Sequence, residues 1–127
     1  MITEDYVSFE TAKLLREKGF DEYCLKSYFK MDKTLKKSGF SEWEKVNEIK
    51  APTQSLAMKW LREVHNIMVS PYALSLGYYF EIFDLTNRDI TGCKSLYKVG
   101  IPNKKDVLST CEEACDAAIR YCLDNLI

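Results

Sequence analysis

The segments APTQSLAMKWLREVHN at residues 51–66 and STCEEACDAAIRYCLDNLI at residues 109–127 both carry helical periodicity, and the aromatic run GYYFEIFDL at residues 77–85 lies between them. In the first, Leu56, Ala57, Trp60, Leu61 and Val64 recur at spacings of one, three and four, with Lys59, Arg62 and Glu63 on the other side. That pattern predicts an amphipathic helix, opened by Pro52 and Thr53 as cap and ended at Asn66. In the second, Thr110 and Glu113 form a capping box ahead of a stripe of Cys111, Ala114, Cys115, Ala118, Tyr121 or Cys122, and Leu126. Between them, Tyr78, Phe80 and Ile82 point one way while Tyr79, Glu81, Phe83 and Leu85 point the other. Both faces are largely apolar, so this strand is expected to be central in its sheet.

Outward from this frame, Ile67 to Tyr72 reads as a strand broken by Pro71, which belongs at a strand end, a bulge or a sheet edge. Thr86 to Asp89 has turn chemistry, and Ile90 to Val99 is expected to return antiparallel before Gly100, Pro102 and Asn103 interrupt it. Near the start, Ser8 caps a helix predicted from Phe9 to Lys18. Gly19 stops it, and Phe20 folds back as in a Schellman motif. DEYCLKSYFK from Asp21 predicts a half-buried strand with Tyr23, Leu25 and Phe29 alternating inward. The stretch from Asp32 to Ile49 lacks a strong period and is expected to be a loop or irregular hairpin arm anchored by Phe40, Trp43, Val46 and Ile49.

The resulting expectation is a single α+β domain over residues 1–127, in the order α-β-(β)-α-β-β-β-α, with an antiparallel sheet of about three to five strands and three helices. A chain of 127 residues is long enough to bury a real core without staples. Lys and Arg total 18 against 19 for Asp and Glu, a formal net charge of -1, so no global field draws the protein to polyanions or anionic lipid. Five cysteines with no C-x-x-C pair, together with an acidic start MITEDYVSFE, are expected of a reduced, cytoplasmic protein. No apolar run reaches the ~18 residues of a membrane helix, and no membrane partner is expected.

The segments VSFETAKLLREKGFDEY, APTQSLAMKWLREVHNI and CEEACDAAIRYCLDNLI together resemble a family of small uncharacterised proteins from gut Bacteroides-type bacteria and their phages or mobile elements. This chain departs from that pattern mainly between Lys26 and Lys50. The resemblance implies a compact α+β fold, a bacterial or phage cytoplasmic setting and a homodimer. It supplies no catalytic residues.

Chemistry-bearing residues are sparse. Cys111, Cys115 and Cys122 share one helical face, as a metal site requires, but free cysteine packs as a small hydrophobe and these lie in the alanine stripe. Zinc would need a second cluster of ligands, and His65 is the sole histidine available to supplement the thiols. Its place at a helix C-terminus suits a cation without any catalytic role. Neither a metal nor a cofactor is therefore expected. The sequence holds no glycine-rich phosphate loop, H-E-x-x-H, G-x-S-x-G or acidic calcium loop.

Two surfaces remain. Lys26, Lys30, Lys33, Lys36 and Lys37, interleaved with Tyr28 and Phe29, make a candidate contact for single-stranded nucleic acid. Overall neutrality and the nearby Glu42, Glu44 and Glu48 argue against it. Tyr72, Tyr78, Tyr79, Phe80 and Phe83 make a candidate interface with a second copy or another protein. The leading expectation is a non-enzymatic accessory or interaction protein, with nucleic-acid binding second.

Overall fold

The computed structural model describes residues 2–39, 41–74, 77–89, 92–99 and 110–127. The chain is mixed α+β and builds two three-stranded antiparallel sheets. Contacts group it into two compact units, Met1–Ala57 and Met58–Ile127. In chain order the elements are α1 (Phe9–Glu17), β1 (Lys26–Phe29), β2 (Leu35–Lys37), α2 (Glu42–Asn47), β3 (Glu48–Ala51), α3 (Gln54–His65), β4 (Ile67–Leu74), β5 (Gly77–Asp89), β6 (Gly92–Val99) and α4 (Cys111–Asn125). The one sheet expected from sequence is thus divided in two, and a short fourth helix joins the three foreseen.

In the first unit, the Ser8 hydroxyl caps α1 by accepting from the Thr11 amide, and the helix ends as its sequence predicts. Gly19 takes φ 93°, its amide donates to the Arg16 carbonyl, and the Phe20 amide donates to the Leu15 carbonyl at 2.9 Å. These are the two bonds of a Schellman motif, and they satisfy carbonyls that the last turn leaves without partners. Ala12, Leu15 and Phe20 are buried, and α1 packs on β3, where Ile49 and Ala51 are also buried. The strand order is β2-β1-β3. Tyr28 locks the N-terminal segment to this sheet: its hydroxyl donates to the Val7 carbonyl at 2.6 Å, and its ring meets Phe9 edge-on.

Two of the positions predicted to face inward at the start of the first strand face out instead. Tyr23 and Leu25 are 77% and 54% exposed, whereas Cys24 and Ser27 are buried. Strand pairing starts at Lys26, so the two residues precede the ladder that would fix which way they face. The stretch read as irregular is ordered too, as β2, α2 and β3. Ser41 caps α2 by accepting from the Glu44 amide at 3.1 Å, and its hydroxyl donates to the Glu44 carboxylate at 2.8 Å. Of the four anchors proposed there, Ile49 is buried, while Trp43 and Val46 are 63% and 66% exposed. A six-residue helix with no buried residue has no apolar stripe to dock, so its large side chains stay outside. The fourth anchor, Phe40, lies outside the described residues.

Thr53 caps α3 by accepting from the Leu56 amide at 3.2 Å, as expected. Ala57, Trp60 and Leu61 are buried, but Val64 is 54% exposed. The helix is ending there, and the His65 ring rather than Val64 packs on Trp60, at 4.7 Å between centroids. Asn66 stops the helix with φ 56°, a left-handed conformation that asparagine tolerates.

In the second unit β5 is the central strand, between β4 and β6. Ile67, Val69, Phe80 and Ile82 are buried, and α4 packs across this sheet with Ala114, Cys115, Ala118, Ile119, Cys122 and Leu123 inward. The stripe therefore runs through Cys122 and not Tyr121, and it widens to Ile119 and Leu123. Pro71 does not break β4, which continues through it to Leu74. The strand is an edge of its sheet among the described residues, where a missing amide is tolerated. The turn chemistry at Thr86 to Asp89 forms a bulge instead of the hairpin turn. Asp84 pairs with Lys94 and Arg88 with Cys93, leaving Leu85, Thr86 and Asn87 unmatched. The Asp84 carboxylate accepts from the Thr86 amide and hydroxyl at 2.9 and 2.6 Å, which turns the chain locally without ending the strand.

Candidate interaction surfaces

Alternation along β4 and β5 divides the aromatic residues between two faces. Phe80 is 2% exposed and shares the buried face with Val69 and Ile82. Tyr72 pairs with Tyr79 and Met68 with Phe83 in the ladder, which places these four on the opposite face with Ser70 and Glu81. The Tyr72 and Tyr79 rings stack, 5.0 Å between centroids and 12° between planes. Tyr72 is 42% exposed, and Tyr79, Glu81 and Phe83 are half-buried. Tyr78, at the start of β5, is 39% exposed. A non-hydrogen-bonded or hydrogen-bonded neighbour pair brings Cβ atoms within about 5.5 Å, so tyrosines directly opposite each other are held for stacking by the backbone itself.

The lysine-rich segment forms the β1–β2 hairpin of the first unit. Lys26 lies 5.0 Å from the centre of the Tyr6 ring, Lys33 5.1 Å from Phe9 and Lys36 5.0 Å from Phe29. Lys36 also pairs with Asp32 at 3.5 Å. The Thr34 hydroxyl and amide, with Lys36 adding to them, hold the Asp32 carboxyl below its ordinary value. Three of the five cations are thus laid on aromatic faces, while Lys26 and Lys37 sit directly opposite each other in the ladder. Lys30 is exposed and reaches the α1 side of the sheet.

Beside β1 lies a cleft of about 510 Å³ whose polar groups are largely consumed by one another. The Ser38 hydroxyl donates to the Cys24 carbonyl at 2.9 Å, so the 2.8 Å contact between Ser27 and Ser38 is donated by Ser27. The Glu48 carboxylate accepts from the Gly39 amide, and Lys50 donates to the Asp21 carboxylate at 2.8 Å. That hydrogen bond and the lysine charge lower the Asp21 carboxyl. A Cβ on Gly39 would overlap the Glu44 side chain, so this wall is fitted closely to glycine. Burial pushes the Cys24 thiol up to about 11, which keeps it protonated and a poor nucleophile at neutral pH.

The remaining chemistry-bearing residues are dispersed. Cys115 and Cys122 are buried in the α4 stripe, Cys111 is half-buried, and the Cys115 thiol lies 3.7 Å from the Met58 sulfur. Burial raises Cys122 to about 12; burial and then the Glu112 charge raise Cys111. The side chain of Cys93 lies outside the described residues. Nε2 of His65 is enclosed with no hydrogen-bond partner among the described residues. Among those residues, no three of His, Cys, Asp or Glu are grouped to hold a metal ion, and no helix is long and apolar enough to cross a membrane. No family model, curated protein or solved structure matches the chain.

Proposed function

We propose that this chain is a non-enzymatic interaction protein that associates with a second copy of itself through the Tyr72–Tyr79 face of the second sheet. The stacked tyrosine pair carries the reading. Tyrosine presents a large, rigid surface with few torsions to immobilise, and a pair already stacked loses little further freedom when covered. Phe83 and Met68 add apolar surface to the same face, beyond the intervening Ser70–Glu81 pair. Pro71 removes a backbone donor from β4, which disfavours growth of the sheet by strand addition and favours docking through the face. A twofold pair of identical faces closes on itself, the commonest way for one chain to bury such a strip. The resemblance of three segments to proteins of gut bacteria and their phages supports a bacterial or phage cytoplasmic setting.

The second reading, single-stranded nucleic-acid binding by the hairpin, has weaker support. Tyr6, Phe9 and Phe29 already carry lysines on their faces, so they are poorly placed to stack bases.

Sedimentation of the parent and of a Tyr72→Asp, Tyr79→Asp variant tests the proposal. The parent is expected to dimerise with rising concentration and the variant to remain monomeric with its circular dichroism spectrum retained. A parent that stays monomeric at the highest attainable concentration removes the reading.

A further inference from the structure

The first unit contains a second cleft, about 580 Å³, between α1 and the end of β1, and its charges are unbalanced. Lys13 and Arg16 enter it from α1 and Lys30 from the strand end, over an apolar floor of Phe9 and Ile49. Positions 9, 13 and 16 are separated by four and three residues, so Phe9, Lys13 and Arg16 occupy one helical face. Among the described residues, none of the three cationic groups has a carboxylate within ion-pair distance. Glu17 also lines the cleft, four residues after Lys13, yet the two do not pair; lysine preceding glutamate is the weaker orientation of that helical spacing. A fourth cation stands at the margin. Lys33 holds φ 57° in the turn after β1, and its ammonium lies over the Phe9 ring. A β-carbon is disfavoured in that conformation, where glycine or asparagine is the usual occupant.

We propose that this cleft binds a small phosphorylated ligand, with Lys13, Arg16 and Lys30 as the phosphate-binding groups. Arg16 offers a planar fork suited to phosphate oxygens, and the two lysines offer point charges from different directions. The volume falls in the range of small-molecule sites. The 510 Å³ cleft beside β1 differs in the respect that matters, because its Lys50 is already paired and its Glu48 already hydrogen-bonded. Glu17 and Asp32 flank the basic residues, and Phe9 and Phe29 carry Lys33 and Lys36 over their rings, so an extended nucleic-acid strand has neither a continuous basic track nor these two rings to stack on. This site lies in the first unit and does not depend on the association proposed for the second sheet.

Pyrophosphate titrated into the isotope-labelled protein at low salt, followed by amide chemical shifts, provides the test, with a short oligothymidylate as a second probe. Saturable shifts at Phe9, Lys13, Arg16 and Lys30 are expected with pyrophosphate, weakening as salt is raised. The Lys13→Gln, Arg16→Gln, Lys30→Gln variant should lose at least about tenfold in affinity, since charge-assisted hydrogen bonds are removed. Glu17→Gln should instead bind more tightly, because a repelling carboxylate is gone. All four side chains are exposed, so the thermal melts should match the parent's. Absence of saturable shifts, an unchanged affinity in the triple variant, or binding of the oligonucleotide without pyrophosphate would each overturn the proposal.

Discussion

The Leu85 amide donates to the Asn66 carbonyl at 2.8 Å, which ties the residue that ends α3 to the bulge in β5. Asn66 holds φ 56°, so its substitutions separate backbone preference from the bond. Asn66→Gly should change stability by only a few tenths of a kcal/mol, whereas Asn66→Val should cost about 1–2 kcal/mol because a β-branched residue is poorly accommodated in the left-handed region. Chemical denaturation of both variants reads the difference. Equal destabilisation would show that the left-handed stop does not govern this connection.

Trp60 and Leu61 are 6% and 0% exposed, and Val64 on the next turn is 54% exposed. Leu61→Ala should therefore cost about 2–5 kcal/mol and Trp60→Ala about 3–5 kcal/mol, as truncations that leave cavities. Val64→Ala should stay within about 0.5 kcal/mol, the range of surface changes. Denaturant midpoints of the three variants check the ranking, and a large loss at Val64 would place it in the core after all.

His65 combines ring packing against Trp60 with an Nε2 that has no hydrogen-bond partner among the described residues. Replacing a buried polar atom that lacks a partner by carbon of similar shape is neutral or stabilising. His65→Phe should thus melt at or above the parent temperature, while His65→Ala should melt lower because the ring contact is lost. A His65→Phe variant that melts well below the parent would mean that Nε2 has a partner in solution.

The buried thiols give the fold an alkaline limit. Cys24 and Cys122 are raised from 9.0 to about 11 and about 12 by burial. Their folded-state values lie above the unfolded one, so the stability they contribute is fully present below 9.0. It is lost as pH rises through the folded values, because ionisation then favours the unfolded chain. Denaturant melts of Cys24→Ala, Cys122→Ala protein should therefore show a shallower loss above pH 9.0 than the parent. In native protein at neutral pH, thiol reagents should label Cys111 before Cys24, Cys115 and Cys122, since it alone of these is half-exposed. Rapid labelling of Cys122 would contradict its burial.

Much of this fold is written locally. The Ser8 cap with the Gly19 stop, Thr53 before α3, and Thr110 with the Glu113 amide are bonds between residues three to five apart, and each of these ends could be read from its own few residues. The central place of β5 was legible because both of its faces are apolar. The Ser41–Glu44 cap was equally local, but the polar residues around it have no apolar period, and α2 buries nothing that would advertise it.

What the sequence by itself determined was therefore the α+β class, the helix ends and most of the buried stripe, because short-range hydrogen bonds and residue periodicity fix these. Only the tertiary structure decided that the strands separate into two sheets, that Cys24 and Ser27 rather than Tyr23 and Leu25 face inward, and that Thr86 belongs to a bulge. It also brought Lys13 and Arg16 of α1 beside Lys30 and set Tyr72 on Tyr79. Strand partners, register and the convergence of distant charges depend on which segments meet, and the physical reason is that such pairings are chosen by the packing of the whole unit, not by the residues adjacent in the chain.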